Sequence, residues 1–272
     1  MRFRILGQTC LKVSILGFGG LSIGYRKVNE KDAVAVLNRA LDLGVNFIHT
    51  SCERSYGDSA HKIGKVMKER RDECFLAVKI GASQRTKEQA EELLTKTLKV
   101  LNTDHVEIAH FRAPLRTFPK AMRPGGPYEA FEEARREGVI DYIGVTGHNV
   151  DFLVEAVKTK AFSNLITPFN YVANSAKEKL LPLAADLNVG VIAMKALGKG
   201  GLRNSSQALR YVWNHDVDTA IVGMSKLSEV EENVAAANNL RPLAQNEREE
   251  LRKMAEKIVK AGRLSSFGSV KR

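Results

Sequence analysis

Gly44-Val45-Asn46-Phe47-Ile48-His49-Thr50-Ser51, continued by Cys52-Glu53-Arg54-Ser55-Tyr56-Gly57-Asp58-Ser59, is the stretch on which the reading of this chain turns. Val45–Thr50 is a short apolar run of strand length that opens into a polar loop carrying a histidine and a tyrosine. In a barrel of parallel strands, the loops after the strand C-termini are where chemistry is assembled. A Tyr-Gly pair just after a strand ending in His-Thr is an odd choice for packing alone.

Outward from this stretch, short apolar runs alternate with longer helical patterns. Strand-like runs follow at Cys74–Ile80, Val106–Phe111, Tyr142–Thr146, Leu165–Tyr171, Gly190–Lys195 and Thr219–Met224. Helical stripes lie between them, for instance Glu30–Leu43 with Ala33, Val34, Leu37, Ala40 and Leu41 on one face. Lys87–Leu101 opens after Thr86, whose hydroxyl can cap the helix while Gln89 reaches back, and Ser228-Glu229-Val230-Glu231 follows the same logic. An eighth strand comes from Lys12-Val13-Ser14-Ile15-Leu16-Gly17-Phe18-Gly19, and Met1–Leu16, with a turn at Gly7–Cys10, forms a hairpin plugging the barrel floor. Buried strands with few polar interruptions suit a parallel sheet covered on both faces. The expected fold is therefore an α/β (β/α)8 TIM barrel with an N-terminal β-hairpin plug. An open doubly wound sheet shares the rhythm. No Pro/Gly/Ser-rich linker divides residues 1–272, so one domain is expected.

Composition narrows the class. Of 272 residues, 44% are hydrophobic, enough for a sizeable core, yet no apolar run approaches the ~18–20 residues that span a bilayer. Met1-Arg2-Phe3-Arg4 is not followed by a secretory-type apolar core. Cys10, Cys52 and Cys74, odd in number and without metal-type spacing, fit a reducing, cytoplasmic setting without disulfides. The formal charge of +11 raises nucleic acid as a partner, but the lysines and arginines are scattered along helical segments with no nucleic-acid motif, and the basic tail Lys257–Arg272 is short. A general positive field would also attract a phosphorylated cofactor or an anionic substrate; for most of these charges a merely solvated basic surface is the preferred reading.

Asn46-Phe47-Ile48-His49-Thr50 with Tyr56-Gly57-Asp58-Ser59 resembles a segment of the aldo-keto reductases, with His49 where that family has aspartate. Phe3-Arg4-Ile5-Leu6-Gly7 through Leu16-Gly17-Phe18-Gly19 is similar to the family's N-terminus. Gly138–Thr146, Gly190–Gly198 and Val217–Met224 with Glu232-Asn233 are similar to its fifth, seventh and eighth strand regions. The order and spacing of these motifs run nearly end to end. They imply a barrel holding a nicotinamide cofactor, in a branch related to ferredoxin-containing members but without their cysteine-rich iron–sulfur extension.

The resemblance assigns roles. Hydride transfer to a carbonyl needs an acid for the forming alkoxide, and a free tyrosine, with a pKa near ~10, needs a neighbouring cation to give up its proton readily. Tyr56 is the candidate acid and Lys79, ending an apolar strand, the candidate cation. His49 removes the lysine's usual counter-ion, and Tyr56 lies two residues further from its strand than in the family. The loop must therefore bulge, and Glu53 within the bulge is the carboxylate that can compensate. Phenol and ammonium are expected within hydrogen-bonding reach, with His49 neutral beside Lys79. Arg112 stands where the family has histidine; always protonated, it orients a carbonyl and favours an anionic substrate. His110, on the same face two residues earlier, either substitutes for that histidine or is a core hydrogen-bonding residue. His105 and His110 fall on opposite faces of a strand and make no metal pair.

On the cofactor side, Leu197-Gly198-Lys199-Gly200-Gly201 allows backbone amides to approach a pyrophosphate. Ser225-Lys226-Leu227-Ser228 opens a helix whose N-terminus favours anions. Lys226 is the candidate for a ribose 2′-phosphate, though Glu229 occupies a place where relatives carry arginine. Thr146 would bond the nicotinamide amide, Met194 would pack on its ring, Glu232 and Asn233 match adenine contacts, and Gly19 and Met224 complete the set. Gly17-Phe18-Gly19-Gly20-Leu21-Ser22 is not a dinucleotide fingerprint, since Ser22 replaces the third glycine and no helix follows at once. The function expected is reduction of an aldehyde or ketone with NADP as cofactor, NAD being possible. The alternative is a dinucleotide-binding barrel that no longer turns over and serves as a redox sensor or interaction protein. With so short a tail, the pocket is either open or covered by the loop Pro114–Pro127.

Overall fold

A computed structural model describes residues 1–24, 28–81, 85–202 and 204–262. The chain begins with a hairpin in which β1 (Phe3–Ile5) and β2 (Lys12–Ser14) pair antiparallel, joined by a 3-10 turn at Gly7–Thr9 and a left-handed Cys10. Eight parallel strands then close a barrel: β3 (Leu16–Gly19), β4 (Phe47–Thr50), β5 (Phe75–Ile80), β6 (Val106–Phe111), β7 (Ile140–Thr146), β8 (Asn164–Pro168), β9 (Gly190–Met194) and β10 (Thr219–Val222). Each strand pairs with the next, and β10 returns to β3, Ala220 opposite Leu16. The surrounding helices are α1 (Glu30–Asp42), α2 (Ser59–Arg70), α3 (Lys87–Leu101), α4 (Phe118–Ala121), α5 (Pro127–Arg136), α6 (Val150–Lys158), α7 (Ala176–Asp186), α8 (Ser205–Trp213), α9 (Leu227–Asn238) and α10 (Gln245–Lys260). This is a (β/α)8 barrel with the hairpin at its floor. The expected basic tail beyond residue 262 lies outside the described residues.

Several boundaries move for local reasons. Lys12–Ser14 belongs to the hairpin rather than the barrel, so the eighth barrel strand starts only at Leu16. The run Leu165–Tyr171 stops as a strand at Pro168, after which the Asn170 side chain accepts the amides of Val172 and Ala173 and turns the chain. On α1 the buried stripe uses Val36 in place of the expected Val34. Thr86 accepts from the Gln89 amide, and the Gln89 side chain reaches back to the Arg85 amide at 2.8 Å. Ser228 does not cap α9, which begins at Leu227. Glu229 instead accepts from the Ser225 amide at 2.6 Å, closing that end with its own carboxylate.

The alternation of strand side chains creates two levels inside the barrel. Phe47, Ala77, Ile108, Ile166, Ile192 and Ile221 pack with Leu6 and Val13 of the hairpin as a dry lower level. Two residues further along their strands stand His49, Lys79, His110, Pro168 and Met194, so the interior turns polar toward the strand C-termini. A larger apolar core lies between strands and helices.

The barrel's seam joins the two ends of the chain. Ala220 donates to Ile15 O at 2.9 Å and Trp213 Nε1 to the same oxygen at 2.7 Å. The Arg4 guanidinium binds the carbonyls of Trp213 and Val217. The loop 114–127 contains α4, whose Phe118 packs on Phe152 and Phe111 with centroids 5.3 and 6.3 Å away, pinning it to the core. Among the described residues no helix is long and apolar enough to cross a membrane, and Cys10, Cys52 and Cys74 are free thiols.

Candidate active site

The bulge after β4 is built by hydroxyl chemistry. Ser51 is fully buried; its Oγ donates to Lys79 O at 2.7 Å and accepts from the Glu53 amide at 3.1 Å. Thr50 and Ser59 hydroxyls lie 2.8 Å apart and tie the end of β4 to the start of α2. A 3-10 turn over Arg54–Tyr56, with the Tyr56 amide donating to Glu53 O, absorbs the two extra residues and folds Tyr56 back, 8% exposed. Lys62, buried on α2, donates to the carbonyls of Ile23 and Val28 and anchors the neighbouring loop.

Lys79, on β5, makes an ion pair with Glu53 at 2.5 Å, both side chains mostly buried. A glycine creates the seat for that carboxylate. A Cβ added at Gly81 would stand 1.1 Å from Glu53 Oε1, so any side chain there displaces the pair.

The relation between Lys79 and Tyr56 differs from the expectation. The ammonium lies over the tyrosine ring, 4.9 Å from its centroid, and makes no hydrogen bond to the phenol oxygen among the described residues. Burial, then the Glu53 carboxylate, push the phenol's pKa up, and Arg112 opposes them. The physical reason is that Glu53 claims the ammonium, leaving Arg112 as the cation acting on the phenol.

His49 faces inward from β4, its ring 6.1 Å from Tyr56 and 5.5 Å from His110. Burial holds its pKa well below the ordinary value, and His110 and Lys79 add to this, so it is neutral; its Nε2 has no partner. His110, fully buried on β6, lies with Nε2 2.8 Å from Asn164 Oδ1, while Asn164 Nδ2 donates to Ser163 Oγ. That orientation makes Nε2 the protonated nitrogen and leaves Nδ1 bare and unpartnered. Burial lowers the His110 pKa to about 3. Gly144 gives this pair room: a Cβ there would lie 2.4 Å from Asn164 Oδ1 and 2.5 Å from His110 Cδ2. The structure thus places His110 in a core network, one rung below the mouth. His105 is elsewhere, on the far end of β6 against Asp141 at 3.0 Å.

Arg112 follows β6 by one residue and is half-buried. Opposite it, Lys195 follows β9 directly in a left-handed conformation (φ 58°). Asn170 Nδ2 and the Gly198 amide both donate to its carbonyl, at 2.9 and 2.8 Å. Burial, Lys199 and Arg112 lower the Lys195 pKa to about 8. His148, after β7, is brought to about 4 by burial, with Lys195 and Arg112 adding. Sequence reading missed Lys195, His148, Asn164 and Gly81. Only the inward period of two could have pointed to any of them.

Thr146, buried at the end of β7, uses its hydroxyl in no hydrogen bond among the described residues, and Met194 is half-buried at the top of the inner level. In the loop after β9, Gly198, Gly200, Gly201 and Leu202 spend their amides on turns within the loop itself. The expected row of open amides is therefore mostly closed, and Lys199 and Lys226 are exposed and in no ion pair among the described residues. Glu229 fills the start of α9. Glu232 accepts from Ser205 Oγ at 2.5 Å, and Asn233 is buried beside it on α9. Gly19 and Met224 lie at the ends of β3 and β10, where Ser22 Oγ bridges their carbonyls at 3.2 and 3.1 Å. Among the described residues no group of three or more His, Cys, Asp or Glu is placed to hold a metal.

A barrel whose polar residues gather at the strand C-termini defines a class of (β/α)8 enzymes, and comparison with known proteins narrows it. The model of the aldo/keto reductase family matches residues 15–208, and the chain belongs to that family. L-galactose dehydrogenase from Arabidopsis thaliana is 28% identical over 293 residues, covering 91% of each chain. The holo form of aldo-keto reductase AKR11C1 from Bacillus halodurans superposes with a TM-score of 0.81 at 26% identity, over 93% of this chain and 96% of that one. An aldo-keto reductase from Klebsiella pneumoniae, solved in complex with NADPH, shares the fold with a TM-score of 0.78 at 19% identity, over 100% of this chain and 97% of its own.

Proposed function

We propose that this chain reduces a small aldehyde or ketone to the alcohol with NADPH, Tyr56 supplying the proton. The observation that carries this reading is a buried tyrosine held at the barrel mouth under an ion-paired lysine, its phenol acted on by the charge of the arginine that follows β6. Bound NADPH would supply the hydride. Lys199 and Lys226 suit its phosphates, Thr146 and Met194 its nicotinamide, and Glu232 with Asn233 its adenosine. The unpaired state of the two lysines and the unused Thr146 hydroxyl support this fit. NADP binding by the Klebsiella pneumoniae relative points the same way. Glu229 at the start of α9 works against a 2′-phosphate, which leaves NAD as a possible second cofactor.

The chemistry assigned to the chain is one proton transfer. As the carbonyl carbon gains hydride, its oxygen becomes an alkoxide, a stronger base than phenolate, and takes the Tyr56 proton; solvent then reprotonates the resulting phenolate. Burial and the Glu53 carboxylate raise the phenol's pKa, so Tyr56 enters the step protonated. Arg112 is the cation that acts on the phenol, Glu53 fixes Lys79, and neutral His49 shapes the wall. Loss of NADPH absorbance with a panel of aldehydes and ketones tests the proposal; a folded protein that binds NADPH and turns over none of them would refute it. One observation favours the second reading, a binding barrel without turnover. Lys79 addresses the ring of Tyr56 rather than its hydroxyl.

A further inference from the structure

Charge at the barrel mouth is distributed unevenly. Its carboxylate, Glu53, is committed to Lys79. Arg112, Lys195 and Lys199 form no ion pair or side-chain hydrogen bond among the described residues, and Arg112 and Lys195 are half-buried where β6 and β9 end at the barrel mouth; the charges of Arg112 and Lys199 lower the Lys195 pKa. Lys195 also sits in a left-handed backbone conformation, unfavourable for an L-residue, held there by two hydrogen bonds to its carbonyl. Like charges gathered out of water are unfavourable unless an anion joins them.

Cofactor phosphates account for Lys199 and Lys226, which lie on the last two loops of the barrel. They do not account for Arg112, which follows β6 and acts on Tyr56, where the carbonyl must be protonated. The remaining anion is therefore on the substrate. We propose, resting on the reductase reading, that the substrate is a carbonyl compound bearing a carboxylate, which Arg112 and Lys195 hold while Tyr56 meets the carbonyl. The planar guanidinium matches a carboxylate with two parallel hydrogen bonds, and the ammonium adds a point charge. A phosphate ester would draw on open helix N-termini. On this side of the mouth the first turn of α6 is already closed by the Asn149 side chain, which accepts from the Phe152 amide at 2.8 Å.

Calorimetric titration of the NADP-saturated protein with benzoate, benzamide and phenyl phosphate tests the site without turnover. Benzoate is expected to bind roughly tenfold tighter than benzamide, and Arg112→Gln to erase about tenfold of that affinity. Arg112→Lys, which keeps the charge and removes the fork, should fall between, and Lys195→Gln should weaken benzoate more than benzamide. In parallel, kcat/KM for 4-carboxybenzaldehyde over benzaldehyde should favour the acid, and the ratio should collapse in Arg112→Gln. Equal affinity for benzoate and benzamide, tighter binding of phenyl phosphate, or an unchanged preference in both variants overturns the proposal. Selective benzoate binding without any turnover would support the carboxylate site and break the reductase reading. Turnover without preference for the acid would do the reverse.

Discussion

The two sides of the barrel mouth treat charge in opposite ways. After β4 and β5, charged and hydroxyl groups are tied to one another within the chain: Glu53 on Lys79, Ser51 between Lys79 and Glu53, Thr50 on Ser59, with Gly81 leaving the space. After β6, β7 and β9, Arg112, His148 and Lys195 crowd together with no carboxylate among them. The contrast separates two uses of polar residues. Satisfied groups fix geometry, and unsatisfied ones are left for a ligand.

The contrast breaks first at Tyr56. Tyr56→Phe should lower kcat by about 10²–10⁴-fold while the NADPH dissociation constant, read by fluorescence, holds. Lys79→Met should also abolish turnover, and it leaves Glu53 buried without a counter-ion. Retention of turnover by the phenylalanine variant would remove Tyr56 from the chemistry.

The satisfied side can be disturbed without touching a charge. Gly81→Ala must push the Glu53 carboxylate away and should cost about tenfold or more in kcat, as Glu53→Gln should. Because both act on one ion pair, the double variant should be little worse than either single one. Additive losses in that cycle would show that Gly81 and Glu53 act separately.

Between the two sides lies the His110–Asn164 pair, and it sets a pH response. A histidine at about 3 in the folded chain and near ~6.5 unfolded binds its proton in the unfolded state first. Stability should therefore fall as pH drops from about 6.5 toward 3, by about 2 kcal/mol at pH 5 from His110 alone. Denaturant melts at pH 7 and pH 5 measure it, and His110→Gln should shrink the difference by His110's share, leaving that of buried His49.

The smallest effect belongs to the open side. Lys195, at about 8, faces Lys199 on its own loop, Arg112 after β6 and His148 after β7, which is neutral at this pH. Benzoate affinity should drop by a few-fold as pH rises through about 8 and the ammonium is lost, and Lys195→Gln should remove the step. Protein stability should move the other way, rising between about 8 and the unfolded lysine's value, because there only the unfolded chain holds the proton. A flat binding profile would mean that Lys195 does not meet the anion.

Much of this was legible in the sequence because barrel strands announce themselves twice, by short apolar runs and by period-two placement of polar residues near their ends. Val106–Phe111 is the strand expected, and Lys79, Thr146 and Met194 stand near strand tops as the family resemblance implied. The hairpin was visible too, although Lys12–Ser14 was counted with the barrel because pairing partners leave no mark on a strand's own residues. What escaped depends on loops. That Lys79 would lie over the Tyr56 ring follows from a 3-10 turn no pattern specifies. Lys195 escaped because a left-handed lysine follows no period, and Gly81 because only the folded chain shows what a missing Cβ admits.

The bond from Trp213 to Ile15 and the strand pair β3–β10 make the barrel a ring fastened with its last-made link. The first barrel strand waits, one edge unpaired, until some 200 residues later Thr219–Val222 arrives, and such distant closure is slow. While it waits, Leu16-Gly17-Phe18-Gly19 is an open edge of the kind that templates association between chains. The Arg4 guanidinium, reaching for the carbonyls of Trp213 and Val217, is the latch that registers the late arrival. Refolding yield, more than native stability, is thus where damage to this corner would be felt: Arg4→Met should lose soluble protein to aggregation with rising concentration while the molecules that do close remain ordinary barrels.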